Sequence, residues 1–232
     1  MEKNITVIEE CTECANCFCS FNALSEEQFK NLSKHSHRLE LKPKQVLVNQ
    51  GQIPNKIMYL RSGIVKEVRK DEILGDQLCR IITKNSYLGL PSFFTDTQSK
   101  TTFIALTKVS VCVLDKFIFK NLIFENGKFA YEILTNCGRD NINNYYHSIE
   151  LSHKQIYGRV ADTLLHLSDN VYQSTEFQNL LSREEMAMMI NSTRESVTRA
   201  IRNFVKEGII SSQGHKIKIL NREKLLHISK HG

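Results

Sequence analysis

No run of apolar residues in this 232-residue chain approaches the roughly 18 that a membrane-spanning helix requires. The opening stretch MEKNITVIEE also lacks the apolar core of a signal peptide, so we expect a cytoplasmic protein without a membrane partner. In that compartment the seven cysteines are poor candidates for structural disulfides and better candidates for metal, redox or core positions.

The sequence also lacks the common motifs of enzyme active sites. The chain has no HExxH, no glycine loop of the kind that cradles phosphates, and no Ser-His-Asp order, and its eight histidines are scattered singly. We therefore predict that the chain is not an enzyme.

Positive charge is concentrated near the C-terminal end. Residues 182–232 hold ten Lys and Arg against five Asp and Glu, whereas residues 1–150 hold 19 against 17. A basic module on a near-neutral body is what binding to a phosphate backbone requires. Basic segments are also common on ordinary solvated surfaces, so charge alone leaves both interpretations open.

Short β-rich runs follow one another between about residues 39 and 114. Gly51, Gly63, Gly75 and Gly89 separate them at intervals of 12, 12 and 14 residues. Short strands at such regular spacing predict an antiparallel sandwich or barrel. The predicted strands are Gln45–Val48, Lys56–Leu60, Ile64–Val68, Leu78–Ile82, Thr102–Leu106 and Val109–Leu114.

The periodicity becomes helical after Leu114. Residues 128–152 contain no proline and predict one long helix, and residues 155–170 predict another. The long helix could pair with a second copy or pack on its own barrel, and the pattern leaves both open. Its apolar stripe holds Ile133, Cys137, Tyr145 and Ile149, beside which lie Asp140, Asn141 and Asn144.

Two helix-capping patterns mark the C-terminal module. Ser182 followed by Glu185 is a capping box that opens a short helix. Ser192 or Thr193 then caps a second helix, and Glu195 would complete a second capping box with Ser192. Because a hairpin can follow around Gln213-Gly214, the order of elements predicts a winged helix-turn-helix.

The second helix, residues 194–206, is amphipathic in a way that suits a DNA groove. Val197, Ile201, Phe204 and Val205 form its inner face. Arginine on the outer face can bond guanine and glutamate can accept from cytosine, although Glu195 and Arg199 could equally form an ordinary surface ion pair. The candidate DNA-binding residues are Ser182, Arg194, Glu195, Ser196, Thr198, Arg199, Arg202, Lys216 and Lys218.

This order of parts resembles the Crp/Fnr superfamily of bacterial transcription regulators over nearly the whole chain. The run Thr193-Arg194-Glu195-Ser196-Val197-Thr198-Arg199 is similar to the family's recognition-helix run S/T-R-E-T/S-V-x-R, and Tyr59–Val65 is similar to its β-roll turn. The resemblance implies that Arg194, Glu195 and Arg199 contact bases in each half of a palindromic, TGTGA-like double-stranded DNA site. It also implies a homodimer formed through the long helix and RNA polymerase as a partner.

The implied architecture is α+β. It comprises an N-terminal β-roll (a double-stranded β-helix, or jelly roll), a long dimerisation helix and a C-terminal winged helix-turn-helix. The corresponding segments are a Cys-rich stretch at 1–24, a cyclic nucleotide-binding-like β-roll sensor domain at 25–124, the dimerisation helix at 125–153 and the DNA-binding domain at 154–232.

The family's cyclic-nucleotide pocket can be compared position by position. Cyclic-AMP members carry a Gly-Glu pair for the ribose and a later Arg-Ser/Thr-Ala run for the phosphate. Here the pair is Gly89-Leu90 and the later run is Ser99-Lys100-Thr101. The carboxylate is missing and no arginine can fork onto the phosphate, so we expect that a cyclic nucleotide is not the effector, although Lys100 leaves weak binding open.

Four cysteines, Cys11, Cys14, Cys17 and Cys19, lie within nine residues. Thiolates at this spacing bind soft metals, either zinc or an iron–sulfur cluster. The arrangement resembles the Fnr branch, in which three N-terminal cysteines and one distant cysteine hold an oxygen-labile 4Fe-4S cluster. That resemblance implies Cys11, Cys14, Cys19 and Cys112 as ligands, with Cys17 as a substitute for one of them.

The spacing departs from the family's, whose last N-terminal cysteine follows a longer gap. A lone cysteine in an apolar strand is also usually a core residue, so both interpretations of Cys112 stay open. Cys79 and Cys137 are interpreted as packing residues.

The resulting hypothesis is a redox switch. An intact cluster ties the N-terminal segment to the β-roll and lets the long helices pair, whereas oxidants or NO release it and the polar seam no longer holds the dimer. The alternatives are a regulator without a cluster that senses a small organic effector or thiol redox state, and a metal-binding redox protein.

Overall fold

The computed structural model describes residues 6–9, 20–73 and 75–232. These described residues form two compact units, the first from those within 1–70 and 81–142 and the second from those within 71–80 and 143–232. Among the described residues, no helix has the length and apolar character needed to cross a bilayer.

Two larger antiparallel sheets supply most of the strands of the first unit. The five-stranded sheet has the order β1 (Thr6–Glu9), β2 (His37–Leu41), β9 (Val109–Asp115), β4 (Lys56–Ser62) and β7 (Ser86–Leu88). The four-stranded sheet has the order β3 (Val46–Val48), β8 (Thr102–Ala105), β5 (Val65–Arg69) and β6 (Gln77–Ile82). The helical elements are a 3-10 turn (Ser20–Ala23), α1 (Glu26–Lys34), α2 (Leu90–Phe94), α3 (Lys116–Glu125) and α4 (Gly127–His153).

Two hydrophobic cores lie on opposite faces of the five-stranded sheet. The sandwich core fills the space between the sheets and includes Leu60, Phe103 and Val111. The helix-side core covers the other face and includes Tyr59 and Cys112, packed under side chains from the helices. The predicted sandwich is therefore confirmed, with a helical layer added on one side.

Several elements differ from the sequence prediction. The segment that showed no strand periodicity contains β1, which pairs with β2 from Thr6 opposite Glu40 to Glu9 opposite His37. Strand β7 and helix α2 are too short, at three and five residues, to give a periodic signal. The interpretation of Cys79 as a packing residue is wrong, because it is exposed on β6 at the end of its sheet.

Helix α4 matches the predicted long helix to within a residue at each end. Its fully buried residues, Phe129 and Ile133, both lie in its first turns. Cys137 is half-buried against the helix-side core, as predicted for a packing residue. Farther along, Tyr145 is 64% exposed, and the polar residues Asp140, Asn141 and Asn144 are exposed as well.

The second unit is the predicted winged helix-turn-helix with two additions. Its elements are α5 (Ile156–His166), a π-helical turn (Leu167–Val171), β10 (Glu176–Gln178), α6 (Arg183–Met189), α7 (Arg194–Lys206), β11 (Ile210–Gln213), β12 (Lys216–Ile219) and α8 (Arg222–His231). Val160, Leu164 and Leu167 are fully buried, as their spacing predicted. Sequence reasoning missed β10, which completes a sheet of order β10-β12-β11, and α8, which packs on α5.

The turn at Gly63 gives a test of the sandwich. Its φ is +92°, and a Cβ there would lie 2.4 Å from the Lys108 carbonyl oxygen. Gly51 has a similar φ of +83° but open space around it. We expect Gly51→Ala to lower the free energy of unfolding by about 1 kcal/mol, the cost of a left-handed backbone conformation. Gly63→Ala should cost about 3 kcal/mol or more, because overpacking is added.

Urea denaturation of both variants, followed by far-ultraviolet circular dichroism, measures this difference. Equal losses for the two variants would show that the contact between the Gly63 turn and β9 does not constrain the sandwich.

Candidate functional site

Both ends of α7, the second helix of the helix-turn-helix, are defined by local capping contacts. Thr193 caps it, with its Oγ1 accepting from the Ser196 backbone N–H at 3.2 Å, and Gly208 follows its end with a φ of +66°. The predicted capping box between Ser192 and Glu195 is wrong. Ser192 Oγ is instead buried and has no hydrogen-bond partner among the described residues.

The inner face of α7 is held firmly. Val197, Ile201 and Phe204 are buried, whereas Val205, predicted for the same face, is 41% exposed because it lies at the edge of that face. Asn203 Nδ2 donates to the Tyr157 hydroxyl at 2.6 Å, which ties α7 to α5. The inner face and this hydrogen bond therefore fix how α7 packs within its unit.

The outer face of α7, here called the recognition face, consists of Arg194, Glu195, Thr198, Arg199 and Arg202. Together with Asn203 these residues line a cleft of about 510 Å³. The charged members are exposed, and within the described part of the chain none of them forms an ion pair. The ordinary Glu195–Arg199 ion pair is therefore not formed.

Two hydroxyl groups, one on the recognition face and one next to it, already form hydrogen bonds within the helix and its cap. Thr198 Oγ1 donates to the Arg194 carbonyl at 2.7 Å, and Ser196 Oγ accepts from Thr193 Oγ1 at 3.1 Å. Ser182, at the start of α6, is exposed, and its Oγ accepts from the Glu185 N–H in the predicted capping box. Each oxygen still has lone pairs for a further contact.

The wing lysines carry a feature that the sequence did not reveal. Lys216 and Lys218 are exposed on β12, and both pair with Glu176 of β10, Lys218 at 3.1 Å. Their hydrogen bonds lower the pKa of the Glu176 carboxyl below its ordinary value. Because β10 has only three residues and was not predicted, sequence reasoning could not place an acid against these lysines.

Of the proposed metal ligands, the structure describes only Cys112. Cys11, Cys14, Cys17 and Cys19 lie outside the described residues. Cys112 is fully buried in the helix-side core, and the described residues contain no group of three metal-ligating side chains. Cys137 is a poor further ligand, because burial and the nearby Asp140 raise the pKa of its thiol.

The two described ends of the cysteine segment nevertheless approach Cys112. Ile8 pairs with Arg38, which pairs with Cys112, so Ile8 lies two strands from Cys112, a separation of about 10 Å. At the other end, Ser20 Oγ shares a 2.5 Å hydrogen bond with the Tyr87 hydroxyl, and both Phe21 and Tyr87 belong to the core that holds Cys112.

A pocket of about 830 Å³ opens beside Ser20. Its floor carries polar groups, with the Tyr59 hydroxyl donating to Asn85 Oδ1 at 3.3 Å. One wall is the first four turns of α4, which contribute Lys128 and Arg139.

The positions that correspond to the cyclic-nucleotide pocket are occupied differently. Leu90 is buried in the helix-side core. Ser99 is buried and its Oγ donates to the Thr101 carbonyl at 2.7 Å, while Thr101 Oγ1 donates to Glu67. Lys100 is exposed. These contacts do not test nucleotide binding, so the expectation that a cyclic nucleotide is not the effector stays a prediction.

Two family models match separate parts of the chain. A cyclic nucleotide-binding domain matches residues 38–126, and a Crp-like helix-turn-helix domain matches residues 158–228. The cAMP-activated global transcriptional regulator CRP of Pasteurella multocida is 23% identical over 189 residues, covering 80% of this chain and 90% of that protein. A CRP-like cAMP-activated global transcriptional regulator of Mycobacterium tuberculosis is 21% identical over 210 residues, covering 88% and 93%.

Solved structures share the fold. FixK2 from Bradyrhizobium japonicum has a TM-score of 0.75 at 16% identity, covering 83% of this chain and 96% of its own. A CRP/FNR-family transcriptional regulator from Thermus thermophilus has a TM-score of 0.70 at 19% identity, covering 83% and 98%. With both domain models matched in order, the chain belongs to the Crp/Fnr superfamily of DNA-binding transcription regulators.

Proposed function

We propose that this chain binds a palindromic double-stranded DNA site as a homodimer and that its N-terminal cysteines make this binding redox-responsive. The recognition face is the observation that carries the first part. Three arginines and a glutamate are exposed, form no ion pair with any residue that the structure describes, and lie on a helix whose inner face is buried. Such a face supports readout of base edges in a major groove, with Arg199 and Arg194 as donors and Glu195 as an acceptor.

The exposed part of α4 supports the homodimer. Large apolar side chains at an exposed helix surface mark an interaction site. A second copy of the same helix would cover them and place two recognition faces on the two halves of a palindrome. The exposed apolar side chains of α4 are Tyr131, Leu134, Ile142, Tyr145 and Tyr146.

RNA polymerase is the proposed partner of the DNA-bound dimer.

The DNA-binding proposal predicts different effects for base and phosphate contacts. Arg199→Ala should weaken binding to the selected site by about 1–3 kcal/mol per half-site and relax specificity there, because a bidentate contact to guanine is lost. Lys216→Ala should weaken binding to all sequences alike and reduce the salt slope by about one per half-site.

The test uses a site selected by the wild-type protein from random double-stranded DNA, and fluorescence anisotropy at several salt concentrations. Lys84→Ala, an exposed lysine in the first unit, is the matched control and should bind as the wild type does. Full sequence discrimination by Arg199→Ala would contradict the assignment of base contacts to the recognition face.

For the redox part we propose a 4Fe-4S cluster held by Cys11, Cys14, Cys19 and Cys112, with Cys17 as a substitute ligand. The donor set fits, because thiolates are the ligands that iron–sulfur clusters use. The approach of both ends of the cysteine segment to Cys112 supports the same set. When bound, the cluster would supply a centre that oxidants can attack.

The chain's own contacts suggest how the cysteine segment would act on α4. Asn126, directly before α4, donates through Nδ2 to the Ala23 carbonyl at 2.9 Å and to Gln28 Oε1 at 2.8 Å. Its Oδ1 accepts from the Phe129 N–H, and the Phe129 ring stacks on Phe21 at 6.2 Å between centroids. Loosening the segment before Phe21 would therefore loosen the start of α4, and the seam of Asp140, Asn141 and Asn144 would then hold the dimer less well.

The pocket beside Ser20 favours a second candidate, a regulator that senses a small organic effector without a cluster. Polar groups converging on a concave surface are typical of ligand sites. Thiol redox sensing by the cysteine run and a metal-binding redox protein are the remaining alternatives. The relatives are named as cAMP-activated, but the Leu90 and Lys100 positions support a different effector here.

Protein purified without air separates these candidates. We expect an absorption band near about 400 nm that bleaches in air, with iron and acid-labile sulfide near about four each per chain. Cys112→Ser should abolish the band, whereas Cys79→Ser, an exposed cysteine on β6, should keep it. Air should also weaken DNA binding by the wild type.

Thermal unfolding of the apo forms checks that Cys112→Ser still folds. A colourless protein that holds zinc or no metal would rule out the cluster and favour the effector or thiol alternatives, and it would leave DNA binding unaffected. A band that persists in Cys112→Ser would remove Cys112 from the ligand set.

A further inference from the structure

Helix α8 carries two histidines on successive turns. His227 and His231 are four residues apart and both are exposed. Their ring centroids lie 4.7 Å apart, with the planes tilted by 49°. The prediction that the histidines are scattered singly is therefore wrong for this pair, because α8 was not predicted and the helix brings them to one face.

The separation of the two rings fits chelation of one metal ion. An imidazole nitrogen binds a first-row transition metal at about 2.0–2.1 Å, which places the ring centre about 3.2 Å from the ion. Two imidazoles on adjacent coordination positions then have their centres about 4.5–5.2 Å apart. The observed 4.7 Å lies inside that interval, so the spacing of the rings is the one that a shared ion requires.

The surroundings also suit a cation. The pair occupies the last turns of α8, where the carbonyl end of the helix favours positive charge. Lys224, on the same helix, is paired with Glu207 at 2.8 Å and so is directed to another partner. Glu223, one turn before His227, offers a carboxylate on the same side of the helix.

We propose that His227 and His231 form a bidentate site for a divalent transition-metal ion of the copper, nickel and zinc group. Imidazole suits these metals, and two histidines at this helical spacing are the arrangement that binds zinc in HExxH helices. Because no third ligand group lies with them among the described residues, the remaining coordination positions belong to water or to a rotated Glu223.

Metal at this site would stabilise the C-terminal face of the second unit. The last turn of α8 is joined to α5 by a 2.5 Å hydrogen bond from Ser229 Oγ to Asp162, and the Gln155 N–H donates to the Gly232 carbonyl. An ion that binds only the folded helix therefore raises the stability of this helix pair. The recognition face lies on another helix, so the site does not depend on the proposed function.

The test is nickel binding by isothermal titration at fixed pH. The parent is the full chain with Cys11, Cys14, Cys17 and Cys19 replaced by serine, so that these thiols do not compete. We expect one Ni²⁺ per chain, and an affinity about tenfold or more lower in His227→Gln and in His231→Gln, because each loses the effective concentration of the second imidazole. The double variant should lose little beyond either single one.

His35→Gln, an exposed histidine at the end of α1, is the control and should bind as the parent does. Nickel should raise the Tm of the parent and not that of the double variant, which separates a metal site from a structural role of the rings. Parent-like binding by the double variant, or an equal loss in His35→Gln, would overturn the proposal.

Discussion

Strand β9 is the constraint on which the first unit depends, because it is buried on both faces. Val109, Val111 and Val113 face the sandwich core, whereas Cys112 and Leu114 face the helix-side core. It pairs with β2 and β4, and at its end Asp115 caps α3 by accepting from two backbone N–H groups. A strand with apolar residues at consecutive positions can join two cores, and this one connects the sandwich to the helical layer.

That double burial gives Cys112 its special position. Successive residues of a strand point to opposite faces of the sheet, so a cysteine at position 111 would face the sandwich core. A thiol there would be out of reach of any segment outside the sandwich. At position 112 the thiol lies in the layer that also holds Phe21 and Phe129. The redox proposal thus depends on the face of the strand on which residue 112 lies, and under that proposal a signal there would reach the start of α4 through the packed contacts of Phe21 and Phe129.

The parts of the fold that could be predicted from the sequence are those with a long hydrophobic periodicity or with clear capping and turn residues. Helix α7 begins and ends where its capping residue and Gly208 indicated, since local hydrogen bonds fix those points. Strands β1 and β10 and helix α8 could not be predicted, because they are short or depend on pairing with distant partners. The same limit hid Glu176 and the His227–His231 pair, whose roles arise from neighbours that folding brings together.

The candidate interface divides its charges between two environments. On the recognition face the arginines form no ion pair with any described residue, so contacts with DNA would break none there. On the wing, Lys216 and Lys218 share Glu176, and phosphate would have to compete with that carboxylate. Since phosphate contacts supply affinity for any sequence and base contacts supply discrimination, this distribution would lower the affinity for every sequence alike and leave discrimination between sequences to the recognition face.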